Sequence, residues 1–367
     1  MKTDICIRGA GVVGQVLALL LARARIQVAL ISAKPSPGKT QDVRSFALNA
    51  ASRQLLAELR VWPQDATPVQ HMKVWGDSSG HIEFDAQTEA LAWIVDAASL
   101  QERLTQALSF ASEVQILKET AAPIADLTVI CEGRVSQTRE TTGAVFDQFA
   151  YGQTAIAAHL SCEIPHENTA WQWMDSSQIC ALLPRSDSAE GNSVALVWSV
   201  SNDHAQTLQA MAPGDFAIAL QEATQNQLGN LQLLSERASW PLMLAQAQQW
   251  CGLAEWGTWV LAGDAAHAVH PLAGQGLNLG LGDAAELANV LASKPYFRSY
   301  SDKKLLRAYE RVRKADAAML RLATDGLQQT FSRSDARLQG LRHWGMKGLD
   351  AAPPLKAWLM RQASGMR

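Results

Sequence analysis

Three glycines near the start of the chain have the spacing of a phosphate-binding turn. They are Gly9, Gly11 and Gly14, which form the pattern G-x-G-x-x-G in the segment GAGVVG. In such a turn the first glycine allows a tight bend, the second lets the backbone approach a pyrophosphate, and the third lets a helix pack closely on a strand. The amino terminus of that helix faces the phosphates, so the spacing predicts a dinucleotide site.

A second group of residues with suitable chemistry lies far along the chain, in the segment GDAAHAVHPLAGQGLNLGLGD. In this segment Gly263 and Asp264 follow a short apolar strand, and a carboxylate at a strand end can accept hydrogen bonds from polyol hydroxyls. Pro271 and residues 274–276 predict a stiff, glycine-rich loop. Asn278 lies at the start of a helix, where free N–H groups favour a negatively charged partner such as the N1/O2 edge of a reduced flavin.

Strands and helices must hold both groups in place. The sequence predicts a strand over Asp4–Arg8, a helix over Val12–Arg25 and a second strand over Gln27–Ile31. It predicts another strand over Trp259–Ala262, followed by a helix. Alternating strands and helices are typical of an α/β fold with a parallel sheet, where ligands bind at the carboxyl ends of the strands. Ser32 stands where a carboxylate usually binds the adenosine ribose, which predicts weaker cofactor retention or a substitute contact.

Composition limits the kind of protein that this chain can be. Its 367 residues correspond to roughly two domains. The net charge of −3 argues against a strongly cationic nucleic-acid binder. The five cysteines contain no C-x-x-C pair, and His267 and His270 have no evident further ligands, so we expect no disulfide framework and no metal site. No uncharged stretch is long enough to predict a membrane-spanning helix.

Taken together, the motifs resemble those of a known enzyme family. The segments GAGVVG and GDAAHAVHPLAGQGLNLGLGD are similar to those of the FAD-dependent aromatic hydroxylases, the group A flavoprotein monooxygenases. Beyond these two motifs, the longer sequence segments are similar to those of the ubiquinone-biosynthesis hydroxylase branch of that family. Supporting matches are RSFALNAAS at Arg44–Ser52, the segment Tyr151–Met174, LLP at Leu182–Pro184 and YERVRKAD at Tyr309–Asp316. The resemblance therefore runs nearly from end to end.

The resemblance implies a role for individual residues. The first three glycines would hold the FAD pyrophosphate, and Arg44 would neutralise it as a bidentate donor. Gln101 would touch the ribityl region, and Asp264 would bind the ribityl chain. The implied catalytic residues, which line the flavin and shape a water-poor pocket, are Pro271, Gly274 and Gln275. The implied cofactor-binding residues are Gly9, Gly11, Gly14, Arg44, Gln101, Gly263, Asp264, Gly276, Leu277 and Asn278.

One further element of the resemblance departs from the family pattern. The segment CEGRVSQTR at Cys131–Arg139 is similar to the element D-G-x-x-S-x-x-R, which serves FAD and NAD(P)H binding together, but Glu132 replaces the aspartate. The stretch Glu113–Asp126 is also short for the strands that usually precede this element. Together with Ser32, these departures concern nucleotide binding. They leave open that this protein is a relative that binds FAD weakly or is inactive.

The expected architecture is α/β, with a Rossmann-type FAD-binding domain interleaved with a β-sheet substrate domain and a helical carboxyl terminus. We expect the FAD domain over residues 1–70, 92–145 and 250–320. We expect the substrate domain over 71–91 and 146–249, and helices over 321–367. Because only one G-x-G-x-x-G segment is present, NAD(P)H would visit the flavin transiently rather than occupy a second Rossmann domain.

The resemblance implies a monooxygenase that uses FAD, O₂ and NAD(P)H to hydroxylate the ring of a polyprenylated phenol in ubiquinone biosynthesis. Two alternatives stay open: a hydroxylase of another small aromatic compound, and a non-catalytic subunit that binds FAD poorly. Possible partners are a ubiquinone-biosynthesis complex or a second copy of the chain, without nucleic acid. The expected location is cytoplasmic, with at most peripheral membrane contact.

Two side-chain patterns have simpler interpretations. The tryptophans, including Trp171 and Trp173, are expected to serve core packing more often than binding, although these two could also line a lipid-facing pocket. The segment Tyr309–Arg313 carries mixed charges at helical spacing, which predicts a solvated helix face.

Overall fold

In the part of the chain that the structure describes, two large β-sheets and a small one are packed with helices. The computed structural model describes residues 2–32, 42–76, 81–121, 123–175, 177–186, 190–268 and 275–332. The strands are β1 (Lys2–Arg8), β2 (Val28–Ser32), β3 (Ser45–Leu48), β4 (Thr67–Val69), β5 (His71–Trp75), β6 (His81–Asp85), β7 (Ala92–Asp96), β8 (Val114–Lys118), β9 (Ile124–Ile130), β10 (Phe146–Cys162), β11 (Thr169–Met174), β12 (Ile179–Arg185), β13 (Ser193–Ser201), β14 (Leu231–Leu233), β15 (Ala238–Ala247), β16 (Cys251–Ala254), β17 (Gly257–Leu261) and β18 (His267–Ala268). The helices are α1 (Val12–Arg23), α2 (Ala50–Glu58), α3 (Ala97–Leu108), α4 (Gln137–Glu140), α5 (Asn202–Ala210), α6 (Pro213–Ala223), α7 (Gln275–Ala292) and α8 (Lys303–Ser332).

The first sheet is the mainly parallel sheet that the sequence predicts. Its strand order is β16-β17-β9-β1-β2-β8, with parallel pairing from β17 to β8 and antiparallel pairing of β16 with β17. Ile5 and Ile7 of β1 and Leu17 and Leu21 of α1 are fully buried in its core. The apolar run in β1 arises because a central parallel strand is covered by helices on both faces.

The first helix ends two residues before the predicted boundary at Arg25. Arg25 adopts a left-handed backbone conformation with φ of 61°. The N–H of Ile26 then donates to the carbonyl of Leu21 at 3.1 Å, which is the six-residue closure of a Schellman motif. The turn satisfies carbonyl groups at the helix end and leads the chain into β2.

The second sheet has the strand order β18-β15-β10-β13-β12-β11-β5-β6, with β14 beside β10. Its strands come from residues 71–85, 146–247 and 267–268. The first two ranges fall within the expected substrate domain, whereas β18 comes from the range expected for the FAD domain. Strands from the two parts of the chain therefore share one sheet, and the domain boundaries themselves stay a prediction.

Tryptophans build much of the core on one face of the second sheet, where α5 and α6 pack. Trp198 lies 5.8 Å from Phe216 of α6 between ring centres. Trp75 stacks on Trp171 at 5.6 Å and on Trp173 at 5.2 Å. Trp173 and Trp198 are buried in the same cluster. The structure confirms core packing for these two side chains.

A third sheet, in the order β3-β7-β4, joins the two larger ones. Asp96 ends β7 and forms a two-point ion pair with Arg185 of β12, with an Nη2–Oδ2 distance of 2.7 Å. Asp96 also accepts a hydrogen bond from Ser45 of β3. One carboxylate thus connects the strand that follows Arg44 to the second sheet.

The prediction of a solvated face at Tyr309–Arg313 is wrong. Tyr309 is fully buried in α8 and donates its hydroxyl to the carbonyl of Leu261 at 2.9 Å. Arg313 is also buried. The reason is that α8 packs against both α7 and β16, which encloses Tyr309 and Arg313, whereas Arg311 of the same segment is exposed. Helix α8 extends into the expected carboxyl-terminal helical region as far as Ser332, and residues 333–367 lie outside the described residues.

Candidate functional site

The glycine-rich turn lies between β1 and α1, as the sequence predicts. Gly9 has φ of 110°, and a Cβ there would collide with the carbonyl of Cys131. A Cβ at Gly14 would collide with the carbonyl of Gly9. Gly11 differs, because a Cβ there would meet no atom within 4 Å in the part of the chain that the structure describes. The packing of the protein therefore explains two of the three glycines, whereas Gly11 leaves space toward solvent.

The start of α1 at this turn is prepared for a negatively charged group. Gly11 is the N-cap residue, no side chain among the described residues caps the helix, and the first turn contains no acidic residue. Free N–H groups at a helix start bind anions favourably. The turn is held from its inner side by Gln15, whose Nε2 donates to the carbonyl of Ala10 at 2.8 Å. Gln101 of α3 reaches the same carbonyl at 3.5 Å, so it lies at the glycine-rich turn.

The two glycine motifs lie directly against each other. A Cβ built on Gly263 would be 3.3 Å from Cγ2 of Val13, and one on Gly280 would be 2.7 Å from the same atom. Glycine at both positions thus lets the second motif approach the start of α1. The sequence interpretation required these distant segments to share one site, and this contact brings them together.

Asp264 lies just after β17, in a short 3₁₀ helix over Gly263–Ala265. Its side chain is exposed to solvent, yet protein surrounds it closely enough that desolvation raises its pKa. The charges of His267, Arg134 and Arg44 act against this rise. The carboxylate therefore stands in a recess near several cations, a position suited to hydroxyl groups of a bound polyol.

Arg44 is exposed and forms a two-point ion pair with Asp42. Its Nε lies 2.8 Å from Oδ1 and its Nη2 lies 2.6 Å from Oδ2 of that carboxylate. The hydrogen bond with Asp42 is the main reason why the pKa of Arg44 is raised, and the charge of Asp264 adds to it. Arg44 and Asp264 are thus close enough to interact.

The start of α7 contains the remaining candidates. Gly276 is open with respect to the described residues, because a Cβ there would meet none of their atoms within 4 Å. Helix α7 begins at Gln275 and continues through Leu277. Pro271 and Gly274 lie outside the described residues, so the structure gives no position for these two catalytic candidates.

Asn278 has a structural task that the sequence did not indicate. Its Oδ1 accepts hydrogen bonds from the N–H of Asn49 at 3.0 Å and from the hydroxyl of Ser52 at 2.7 Å. Its Nδ2 donates to the carbonyl of Ala47 at 2.9 Å. The side chain therefore fastens α7 to β3 and α2. Only the backbone of Asn278 is left for the cofactor role expected from its place at the helix start.

Sequence reasoning missed a buried charge network beneath the second motif. Asp283 of α7 is fully buried and accepts hydrogen bonds from the N–H of Gly263 at 2.8 Å, from His267 Nε2 at 2.7 Å and from Arg313 Nε at 2.7 Å. Burial opposes its ionisation, but the hydrogen bonds and electrostatic interactions with His267 and Arg313 outweigh burial and lower the pKa of Asp283. The ring of His267 also stacks on Trp250 at 4.9 Å. The network fixes the turn that presents Asp264.

The sequence signal for this network is Gly282, the glycine directly before Asp283 in α7. Asp283 lies directly after Gly282, and a Cβ at Gly282 would be 2.9 Å from Nη2 of Arg313. The glycine therefore makes room for the guanidinium. His267 itself serves packing and hydrogen bonding, through its contacts with Trp250 and Asp283. Among the described residues, no group of three or more His, Cys, Asp or Glu side chains could hold a metal ion.

Glu132 fills the position of the family aspartate without leaving its carboxylate unpaired. It accepts hydrogen bonds from Ser136 Oγ at 2.7 Å, from Thr138 Oγ1 at 2.6 Å and from Arg8 Nε at 3.2 Å. Burial raises its pKa, but the bonds from Thr138 and Ser136 outweigh burial and lower the pKa of Glu132. Arg139 of the same element is buried and donates to the carbonyl of Ala265 at 3.1 Å. The element thus links β1 to the turn that carries Asp264.

Two other departures from the family pattern can be located. Ser32 ends β2, as predicted, and pairs in register with Lys118 of β8. Strands β8 and β9 are separated only by residues 119–123, in agreement with the short connection noted in the sequence.

The mainly parallel sheet, its glycine-rich turn and the carboxylate turn beside it define a dinucleotide-binding flavoprotein. A family model described as FAD binding domain matches residues 74–322, which is more than half of the chain. The 3-demethoxyubiquinol 3-hydroxylase of Escherichia coli (strain K12) is 30% identical over 399 residues, covering 99% of each chain. Ubiquinone hydroxylase UbiL of Rhodospirillum rubrum is 28% identical over 391 residues, covering 99% of this chain and 89% of that protein. The chain belongs to the family of FAD-dependent ubiquinone-biosynthesis hydroxylases and is an aromatic-ring monooxygenase.

A comparison with solved structures supports the fold. The crystal structure of p-nitrophenol 4-monooxygenase PnpA from Pseudomonas putida DLL-E4 matches with a TM-score of 0.79 and 16% identity, covering 100% of this chain and 99% of that chain. At this identity the match shows the arrangement of the chain and leaves the substrate open.

Proposed function

We propose that this monooxygenase hydroxylates the aromatic ring of a polyprenylated phenol on the route to ubiquinone. The names of its relatives in Escherichia coli and Rhodospirillum rubrum support this substrate class. The observation that carries the proposal for this chain is the contact of Gly263 and Gly280 with Val13, because it brings together the two segments that are proposed to form the flavin site.

The residues at this site fit FAD. Gly11 and Gly276 both face open space, where protein packing alone would tolerate a side chain. The uncapped start of α1 suits a diphosphate, and Asp264 in its recess suits the hydroxyls of the ribityl chain. Arg44, which pairs with Asp42 in this structure, supplies a cation for the diphosphate.

In this proposal each element of the chain has a separate task. The glycine-rich turn binds the diphosphate, and Asp264 orients the cofactor. The backbone N–H groups at the start of α7, from Gln275 to Leu277, favour negative charge at the edge of the flavin ring. Pro271, Gly274 and Gln275 are proposed to exclude water there. Bound FAD supplies the activation of O₂ and the oxygen transfer to the ring, which explains why no catalytic triad is required.

We further propose NAD(P)H as a transient reductant and a reducing cytoplasm as the location. All five cysteines are free thiols in the structure, which fits a reducing compartment. Burial raises the pKa of Cys6 to about 11, so this thiol is unreactive near neutral pH. The structure contains no helix in its described part that is long and apolar enough to cross a membrane. The proposal includes assembly of this chain into a ubiquinone-biosynthesis complex or a homo-oligomer.

Two measurements test the proposal. The purified protein is expected to be yellow, with flavin absorbance, and cells that lack it are expected to accumulate a quinone precursor with one ring hydroxyl fewer. An unchanged quinone pool, together with NAD(P)H oxidation stimulated by soluble hydroxybenzoates, would indicate a hydroxylase of a small aromatic compound instead. A colourless protein that does not take up added FAD would indicate a non-catalytic subunit. The complete hydrogen bonding of Glu132 argues against that third outcome.

A further inference from the structure

An ordered turn between α7 and α8 presents two aromatic side chains. The N–H of Arg298 donates to the carbonyl of Pro295 at 3.0 Å, so Tyr296 and Phe297 occupy the two central positions of the turn. Nζ of Lys294 closes the same turn by donating to the carbonyl of Arg298 at 2.8 Å. These bonds give the loop a defined shape without any contribution from the two aromatic rings.

The two rings are exposed to an unusual degree. Tyr296 is 95% exposed and Phe297 is 71% exposed, and their ring centres lie 5.5 Å apart in an edge-to-face arrangement. Central turn positions are usually occupied by Gly, Asn, Asp or Ser, because these residues suit the backbone and water. Turn formation and core packing therefore do not explain a pair of large aromatic residues here, which indicates contact with something outside the chain.

The segment that carries the rings, residues 293–304, is cationic, in contrast to the whole chain, although the charges of Asp4 and Asp126 contribute, after burial, to raising the pKa of Tyr300 in this segment. Lys294, Arg298, Lys303 and Lys304 lie within residues 293–304, and Asp302 is the acidic residue of this segment. Asp302 pairs with Arg298 at 3.3 Å. Lys303 and Lys304 are exposed at the start of α8. The chain as a whole has a net charge of −3, so the positive charge is a local property of this segment.

We propose that residues 294–304 bind the surface of a bilayer that contains anionic lipids. Aromatic side chains favour the interfacial layer of a membrane, where Tyr296 and Phe297 would insert, while the lysines would meet anionic headgroups. The proposal deepens the proposed function, since a polyprenylated phenol resides in a bilayer. Helix α7, with 18 residues, places the turn about 27 Å from the cofactor end, so the contact holds the enzyme at the surface rather than forming its active site.

The test compares binding of the purified full-length protein to sedimenting vesicles of phosphatidylcholine, with and without phosphatidylglycerol. The wild type is expected to bind the anionic vesicles more strongly than the neutral ones. The variant Tyr296→Ser/Phe297→Ser is expected to bind at least about tenfold more weakly, because the inserted apolar surface is lost. The matched control is Phe149→Ser, which removes an aromatic side chain that is 63% exposed on the second sheet. It is expected to bind as the wild type does.

A second variant separates charge from insertion. Lys303→Gln/Lys304→Gln is expected to weaken binding to anionic vesicles by about fivefold per lysine and to leave binding to neutral vesicles unchanged. All four proteins are expected to unfold at the same temperature, since the altered side chains are exposed.

Three outcomes would overturn the inference. The first is a wild type that binds neither vesicle, and the second is an aromatic double variant that binds as well as the wild type. The third is a wild-type dimer that dissociates in the double variant without any vesicle binding, which would assign the rings to a second copy of the chain. Vesicle binding is measured without substrate and with or without FAD. A colourless protein that still binds vesicles would therefore contradict the proposed function alone.

Discussion

Gly11 and Gly14 belong to the same motif, but the structure predicts opposite consequences for their replacement by alanine. A Cβ at Gly14 would overlap the carbonyl of Gly9, and that carbonyl cannot move freely because Gly9 is itself packed against Cys131. Overpacking of this kind lowers the free energy of unfolding by about 1–3 kcal/mol. A Cβ at Gly11 meets no protein atom within 4 Å, and φ of −73° at this position is open to alanine. The expected cost there is only the weaker N-cap, about 1 kcal/mol or less.

For FAD binding, by contrast, the larger effect is expected from Gly11→Ala. In Gly11→Ala the new methyl group would occupy the space through which, in the proposed site, the diphosphate approaches the backbone. We expect the dissociation constant for FAD to rise at least about tenfold, which corresponds to about 1.4 kcal/mol. Gly276→Ala offers a second open position in the other motif, and we expect it also to weaken FAD binding with little effect on the apoprotein.

The assay measures two quantities on each variant: urea unfolding of the apoprotein, and FAD affinity from the quenching of flavin fluorescence. Gly214→Ala is the control, because a Cβ at Gly214 in α6 also meets no atom within 4 Å and lies on the second sheet's helices. The reasoning is refuted if Gly11→Ala binds FAD as tightly as the wild type. It is equally refuted if Gly11→Ala destabilises the apoprotein more than Gly14→Ala does.

Three further predictions concern buried and recessed carboxylates. Asp283→Asn should lower the free energy of unfolding by about 3–5 kcal/mol, since it leaves Arg313 buried without its main counter-charge. The double variant Asp283→Asn/Arg313→Met should recover most of that loss, as measured by urea unfolding. The folded-state pKa values of Asp283 and Glu132 lie below their ordinary values of 3.8 and 4.5, so their contribution to stability is present above about pH 4.5 and is lost as pH falls further. In the Asp264→Asn background, which removes the opposite contribution of Asp264, urea midpoints measured from pH 7 downward should stay level and then drop, and an increase on acidification would contradict this. Asp264 has a raised pKa, so Asp264→Asn should increase the thermal stability of the apoprotein at pH 7 while weakening FAD binding. An unchanged FAD affinity would argue against a cofactor role, and a loss of thermal stability would contradict the raised pKa.

The local motifs could be predicted because their information is local. The glycine spacing of GAGVVG requires a left-handed bend at Gly9 and a close helix–strand contact at Gly14, and both occur. The alternation of apolar strands with helices predicted the parallel sheet. The role of Asn278 was only half predictable, since its place at the helix start is a sequence property, whereas its three hydrogen bonds depend on β3 and α2.

The amino-acid sequence by itself determined the elements of this protein and the two motifs that mark a flavin site, because backbone preferences and hydrophobic periodicity act over a few residues. Only the tertiary structure decided which faces of those elements became buried. Tyr309 and Arg313 have the charge pattern of a solvated helix face, yet they are enclosed because α7 and the parallel sheet pack against them. Asp283, His267 and Arg313 likewise form one network only because α8 returns to the turn at Gly263, and that contact depends on residues far apart in the chain.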